Sequence, residues 1–306
     1  MKYVIVPVLV VLIIFNTAIF GCTVFKVTKE KQTFFCNNED GPDTHAVITF
    51  KPASTGKYGR FLMYFPKDPN PMIRTYPQGG MNDQGLVFDI TATPLTKNRR
   101  LIFPEAALRL KENLMEKVMS ECATVEESIQ LIMRYKTPEI GMIQILIADK
   151  AGDSAVFGVD KDGRMAIQRK TDDNQVLTNF SLPDPENSVI YPCYRYEAAT
   201  EMIQSMDELS IDYLRSILSV VHVEGLASTV YSNIYDLNKG DIYFYYFHNF
   251  ETPVKLNLEE ELKKGERSIE MSTLFPRKVF AQIAIEELSK GVDKLRKELE
   301  ECKKQQ

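Results

Sequence analysis

The hydrophobic positions of this chain fall into three zones. The first is a leading block, Val4 to Phe20, apolar apart from Asn16 and Thr17. The second is a long middle in which short β-rich runs and helical stretches follow one another. Runs rich in β-branched and aromatic residues, punctuated by Gly, Pro and Asn, predict strands over Val24–Val27, Thr33–Cys36, Ala46–Lys51, Phe61–Phe65 and Leu86–Thr91. Pro104–Met119 reads as a helix with proline in its first turn. Thr124–Arg134 reads as a second, with Thr124 as cap and Glu127 completing a capping box. Strands return over Met142–Ala148, Ser154–Val159, Met165–Arg169 and Gln175–Phe180. Helices follow over Tyr194–Met206 and Ile211–Val221, then a hairpin of Thr229–Asp236 and Asp241–His248 across Leu237-Asn238-Lys239-Gly240. Strands, helices and strands again make an α+β pattern. The third zone is a charged C-terminal helix in which Ala281, Ile285, Leu288, Val292, Leu295, Leu299 and Cys302 recur at alternating spacings of four and three.

The leading block looks made to be removed. Met1-Lys2-Tyr3 carries one positive charge, the apolar run is short for a membrane span, and Gly21 is the small residue beside the expected cut. Cleavage after residue 21 makes Cys22 the first residue of the mature chain. An N-terminal cysteine has two chemical uses. Its free α-amine can act as the base for its own thiol; an α-amine titrates near about 7.7–8.0 and a thiol near about 8.5, so proton transfer between them costs little. Alternatively, thiol and amine are both acylated and anchor a lipoprotein. Ile19-Phe20-Gly21-Cys22 is an imperfect lipobox, with bulky Phe20 before Gly21. The two uses exclude each other, because an acylated amine is no base. The turn Thr28 to Gln32 between two β-rich runs predicts a hairpin that returns Asp40 to Cys22, where a carboxylate would hold the α-amine.

Several segments carry a wider resemblance: Cys22-Thr23, Asn37-Asn38-Glu39-Asp40, Gly79-Gly80-Met81-Asn82-Asp83-Gln84-Gly85-Leu86, Val176-Leu177-Thr178-Asn179-Phe180, Tyr194-Arg195-Tyr196-Glu197 and Ser228 to Asp236. In that order and spacing, over roughly residues 22 to 262, the chain resembles the choloylglycine hydrolase and penicillin V acylase family of N-terminal nucleophile hydrolases. Acyltransferase-like and N-acylethanolamine amidase relatives belong to the same group. The resemblance implies a four-layer αββα sandwich and cleavage of a linear amide C–N bond through a thioester on Cys22. It implies that Asp40 holds the α-amine, that Asn179 donates its side-chain amide to the oxyanion, and that Arg195 stabilises the thiolate and orients Asp40. Asn179-Phe180-Ser181 is also an N-glycosylation sequon.

Two positions depart from the family pattern. Asn37 stands where many members have arginine. No amide side chain stands near Ala92, so a backbone N–H would have to be the second oxyanion donor, and Asn82 reads as a turn residue. Met63-Tyr64-Phe65, Met72 and Leu95 lie where family pocket loops fall, but the substrate-binding residues are not fixed by any motif.

Composition agrees with one large domain. The 306 residues are 44% hydrophobic and 26% charged, with net charge −5 and no basic stripe, which argues against a nucleic-acid partner. Beyond Cys22, Cys36, Cys122, Cys193 and Cys302 show neither CxxC pairing nor zinc spacing. His45, His222 and His248 lie in no metal or triad motif, so no metal or cofactor is expected. The expected organisation is a signal peptide over 1–21, a hydrolase domain over 22–275 and an amphipathic helix over 276–306. The expected location is outside the cytoplasm, as a free or N-terminally lipid-anchored protein without a membrane span. The expected substrate is a small N-acyl amide with an apolar acyl chain, with transfer of the acyl group to another amine open beside hydrolysis. A non-catalytic lipoprotein on the same fold is the alternative.

The heptad stripe packs either on the domain body or against a second copy of the chain, making a homo-oligomer. Deleting residues 288–306 lowers the sedimentation coefficient to that of a smaller assembly in the second case and leaves the oligomeric state unchanged in the first.

Overall fold

A computed structural model describes residues 21–41, 45–93, 100–188, 190–224 and 228–276. The expected signal peptide apart from Gly21, Leu95 and nearly all of the C-terminal helix lie outside the described residues.

Among the described residues the strands are, in chain order, β1 (Thr23–Lys29), β2 (Gln32–Gly41), β3 (Val47–Lys51), β4 (Arg60–Tyr64), β5 (Gly79–Asn82), β6 (Leu86–Ala92), β7 (Ile143–Asp149), β8 (Ser154–Val159), β9 (Met165–Arg169), β10 (Asn174–Leu177), β11 (Ser228–Asp236), β12 (Asp241–Tyr246), β13 (Asn249–Asn257) and β14 (Arg267–Glu270). The α-helices are α1 (Pro71–Thr75), α2 (Leu114–Glu121), α3 (Val125–Ile132), α4 (Tyr194–Gln204), α5 (Ile211–Val220) and α6 (Leu258–Lys263). The strands make two antiparallel sheets, one in the order β10-β1-β2-β11-β12-β13 and one in the order β14-β3-β4-β5-β6-β7-β8-β9.

Side-chain alternation along each strand assigns the layers. Val24 and Phe35 point to the other sheet, whereas their neighbours Phe25 and Cys36 point to helices. The inner faces meet in a core where Phe61 of β4 stacks on Tyr235 of β11 at 5.9 Å between ring centres. On the outer face of the larger sheet, Phe88, Ile145 and Phe157 pack against Met115, Val118 and Met119 of α2 and Val125 of α3. On the outer face of the smaller sheet, Phe25, Val27 and Ile234 pack against Ala199 and Ile203 of α4 and Leu214, Ile217 and Leu218 of α5. The chain is therefore an α+β protein with an αββα sandwich, as the sequence resemblance implies. No helix among the described residues is long and apolar enough to cross a membrane.

Two local expectations are corrected. The helix expected over Pro104–Met119 begins only at Leu114, because the Asn113 side chain accepts from the N–H groups of Met115 and Glu116 at 2.9 and 3.1 Å and caps it there. Leu108 instead pairs its backbone with Arg134 and Lys136 in an isolated bridge. Gly79–Asn82 forms a strand, and Asn82 starts the turn that follows it, its carbonyl accepting from the Gly85 N–H at 3.0 Å. The hairpin expected to end at His248 stops at Tyr246, since Phe247 adopts φ 56°, and the chain turns into β13. That edge strand carries Glu251, Thr252 and Pro253, and its polarity and proline hide it from a hydrophobic reading. The Thr124 cap is present, with Glu127 N–H donating to Thr124 Oγ1 at 3.2 Å.

Gly80 is required by close approach. A Cβ there would lie 2.3 Å from the carbonyl oxygen of Phe61 on the paired strand. Gly80→Ala forces β4 and β5 apart and destabilises the fold by about 1–3 kcal/mol, read from the midpoint of urea unfolding; an unchanged midpoint would contradict this packing.

Candidate active site

Cys22 sits immediately before β1, and the register of the β1–β2 hairpin decides what it faces. Glu30 and Lys31 occupy positive φ at the turn, 52° and 67°, which gives a tight two-residue connection. The pairing then runs from Lys29 opposite Gln32 back to Thr23 opposite Asn38. Cys22 therefore lies against Glu39 and Asp40. The backbone N–H of Asp40 points to Cys22 Sγ at 3.5 Å. The strand on the other side of β2 contributes Thr229, paired with Asp40, and its hydroxyl donates to Asp40 Oδ1. Asp40 is 2% exposed, and its Oδ2 has no hydrogen-bond partner among the described residues. That oxygen faces the Gly21–Cys22 junction, 3.0 Å from where a Gly21 side chain would begin.

Arg195 enters from the first turn of α4. Its Nη1 donates to the carbonyl oxygens of Gly21 and Cys22, the latter at 2.7 Å, and to Thr23 Oγ1 at 2.8 Å. Its Nη2 donates to Asn179 Oδ1 at 3.0 Å. Asn179 lies two residues past the end of β10 and donates Nδ2 to the carbonyl of Ala92 at 2.8 Å. Cys22, Asp40, Asn179 and Arg195, singled out from the sequence, thus form one connected cluster. Asn179 is 1% exposed, so a glycan at the sequon is incompatible with this fold. Asn82 is a structural clamp: its amide donates to the carbonyls of Met119 and Cys122, and its oxygen receives the N–H groups of Gln84 and Leu86.

A cavity of about 420 Å³ opens onto Cys22, Glu39 and Asp40, with apolar walls that include Phe65, Met72, Ile73, Ile90, Met142 and Ile143. Of the residues expected near the pocket, Phe65 and Met72 line it. Met63 is instead buried in the inter-sheet core, and the Tyr64 hydroxyl donates to Glu116. Burial pushes the Cys22 thiol well above its usual value, reinforced by the charges of Glu39, Asp40 and Asp89. Burial raises Asp40 to about 8, against the opposing pull of the Thr229 hydrogen bond and the Arg195 charge.

Glu39 and Asp89 were not given a role from the sequence. Glu39 is raised to about 8, mainly by burial. Asp89 is pushed up by burial and by Glu39, and neither of its oxygens has a hydrogen-bond partner among the described residues. A side chain at Gly79 would strike Asp89 Oδ2 at 2.4 Å, so that glycine makes room for the carboxyl. Asn37, at the position of the family arginine, brings no cation here; it donates to Glu39 Oε2 at 3.4 Å. The sequence signal for Asp89 was a charged residue inside the apolar strand Leu86–Thr91.

No protein-family model matches the chain, and no curated protein matches it in sequence. Solved structures do. A variant of the conjugated bile acid hydrolase from Clostridium perfringens superposes with TM-score 0.62 at 17% identity, covering 81% of this chain and 96% of that one. Penicillin V acylase from Agrobacterium tumefaciens superposes with TM-score 0.60 at 16% identity, covering 81% and 90%. At these identities the likeness establishes a shared fold.

The carboxyl pair has a consequence for stability. Glu39 titrates near about 8 in the fold and near about 4.3 when unfolded, so its neutral form stabilises the native state. That contribution is complete below about pH 4 and is lost as pH rises towards 8. The urea midpoint of the wild type therefore falls between pH 5 and pH 8, and Glu39→Gln, uncharged throughout, falls less over the same range; parallel profiles would show that Glu39 is not buried as a neutral acid.

Proposed function

We propose that this protein belongs to the choloylglycine hydrolase and penicillin V acylase family. In this reading it is an exported amidase that cleaves a linear amide C–N bond with Cys22 as N-terminal nucleophile. The observation that carries this is the convergence of Cys22, Asp40, Asn179 and Arg195, scattered over the sequence, into one hydrogen-bonded cluster at a cavity. The shared fold with a bile acid hydrolase and a penicillin V acylase supports it.

Removal of residues 1–21 frees the α-amine of Cys22 beside the unpartnered Oδ2 of Asp40. Asp40 then accepts a hydrogen bond from the neutral amine and holds it towards the thiol, and the positive charge that forms when the amine takes the thiol proton favours the ionised carboxylate. The amine takes the thiol proton as Sγ attacks the substrate carbonyl carbon. The carbonyl oxygen becomes an oxyanion, stabilised by the Asn179 Nδ2 hydrogen not given to Ala92. The C–N bond breaks, the leaving amine takes the proton from the α-ammonium, and the acyl group remains on Sγ as a thioester. Water then adds to the thioester with the α-amine as base, releasing a carboxylic acid and restoring the thiol. Arg195 holds the Cys22 carbonyl and the Thr23 hydroxyl, so that the nucleophile keeps its direction. The apolar cavity walls suit an apolar acyl chain.

The lipoprotein alternative fits less well. An acylated amine on Cys22 would leave the buried Oδ2 of Asp40, which faces the Gly21–Cys22 junction, without the donor that a free amine supplies.

Assayed against N-acyl amides with a chromogenic leaving amine, the mature chain turns over, and Cys22→Ser reduces the rate to background. The chain with residues 1–21 attached is inactive, because its base is a peptide nitrogen. Asn179→Ala loses about 10²–10³ in kcat, the usual cost of one oxyanion donor. Undiminished turnover by Cys22→Ser, or equal rates for precursor and mature chain, would overturn the mechanism.

A further inference from the structure

We propose that His222, Glu224 and His248 form a binding site for a zinc-like transition-metal cation, separate from the Cys22 cluster. One candidate ligand atom from each lies within 4.8 Å of the other two. Two imidazoles and a carboxylate are a donor set that suits zinc and its neighbours. Zinc bonds of about 2.0–2.2 Å in tetrahedral geometry place donor atoms roughly 3.4 Å apart. His222 Nε2 and Glu224 Oε1 are already 3.2 Å apart, and the two imidazole rings are 5.0 Å apart centre to centre. Small side-chain rotations would bring the His248 nitrogen to the same spacing from both.

The tautomer of His222 is the independent observation. Its Nδ1 lies 2.5 Å from the carbonyl oxygen of Ser219. A carbonyl only accepts, so Nδ1 carries the hydrogen, and in the neutral ring Nε2 presents a lone pair. That lone pair faces the Glu224 carboxylate, another acceptor. Only a cation or a second proton between them makes the contact favourable. An imidazole whose far nitrogen is fixed by a backbone carbonyl is how proteins orient a metal-ligating histidine. Glu224 is exposed and both histidines are half-buried, so an ion can enter from solvent.

The site has a structural task. His222 and Glu224 flank Val223, whose N–H donates to Thr229 Oγ1 at 2.9 Å and whose carbonyl accepts from the Thr229 N–H at 2.8 Å. Thr229 in turn donates to Asp40. An ion held by both neighbours of Val223 and by His248, just past the end of β12, would fasten the strap that orients Thr229. Two histidines separated by most of a hairpin carry no spacing motif, which is why the sequence alone pointed to no metal.

The test is a titration of the chelator-stripped chain with zinc, followed by calorimetry and by thermal unfolding. One ion binds, and the unfolding temperature rises by several degrees. His222→Ala with His248→Ala abolishes both effects. Glu224→Gln, an exposed change that leaves the fold intact, weakens binding at least tenfold. Cobalt in place of zinc gives a visible d–d spectrum without sulfur-to-metal charge transfer. Absence of binding at millimolar zinc, binding unchanged in Glu224→Gln and in the double-histidine variant, or a thiolate charge-transfer band would each overturn the site. None of these readouts depends on catalysis, so the inference stands or falls apart from the proposed amidase activity.

Discussion

One guanidinium organises the start of β1. Arg195 reaches from the first turn of α4 to the carbonyls of Gly21 and Cys22, to the Thr23 hydroxyl and to the Asn179 side chain. A strand that begins at residue 23 would otherwise fray, since terminal residues have few partners. Arg195 makes Cys22 a fixed part of the smaller sheet, and the β1–β2 register then holds its sulfur against Asp40. Because a planar guanidinium offers five donors in a rigid fork, lysine could not span these acceptors from one position.

The cluster is costly in isolation. Asp40, Glu39 and Asp89 are buried within one neighbourhood, and burial raises all three. Nearby hydroxyls of Tyr231 and Tyr235 have no hydrogen-bond partner among the described residues. Polar groups without partners in a core are expensive, and their concentration in the layer between the sheets marks where the sandwich gives up stability. The surrounding aromatic core, in which Phe35 packs on Tyr235, Tyr235 on Phe61 and Phe61 on Phe244, offsets that loss. In the proposed reading the α-amine freed at Cys22 is the base, and the ammonium it becomes adds to Arg195 a second cation beside Asp40.

Much of the architecture was legible because local signals and tertiary demands agreed. Ser154–Val159 and Met165–Arg169 have the expected bounds, and Thr124 caps its helix. The hairpin returning Asp40 to Cys22 could be read from two β-rich runs and a polar turn. Where local and tertiary signals separated, the sequence misled. Among the good helix formers before Leu114, Leu108 is drawn into an isolated bridge, bonding the backbone of Arg134 and Lys136. The edge strand β13 is too polar to announce itself. Of the site, the residues carried by motif resemblance were legible. Glu39 and Asp89 were not, because their effect arises from burial and proximity across two sheets, which no spacing records. His222, Glu224 and His248 were hidden for the same reason.

The proposed chemistry requires a free α-amine on Cys22 in the mature protein. Mass analysis of the N-terminal peptide from an export-competent host measures this directly. The predicted result is a chain beginning at unmodified Cys22. A peptide still carrying residue 21, or a Cys22 bearing a diacylglyceryl or N-acyl group, would contradict it, since no amine would then stand beside Asp40 to activate the thiol.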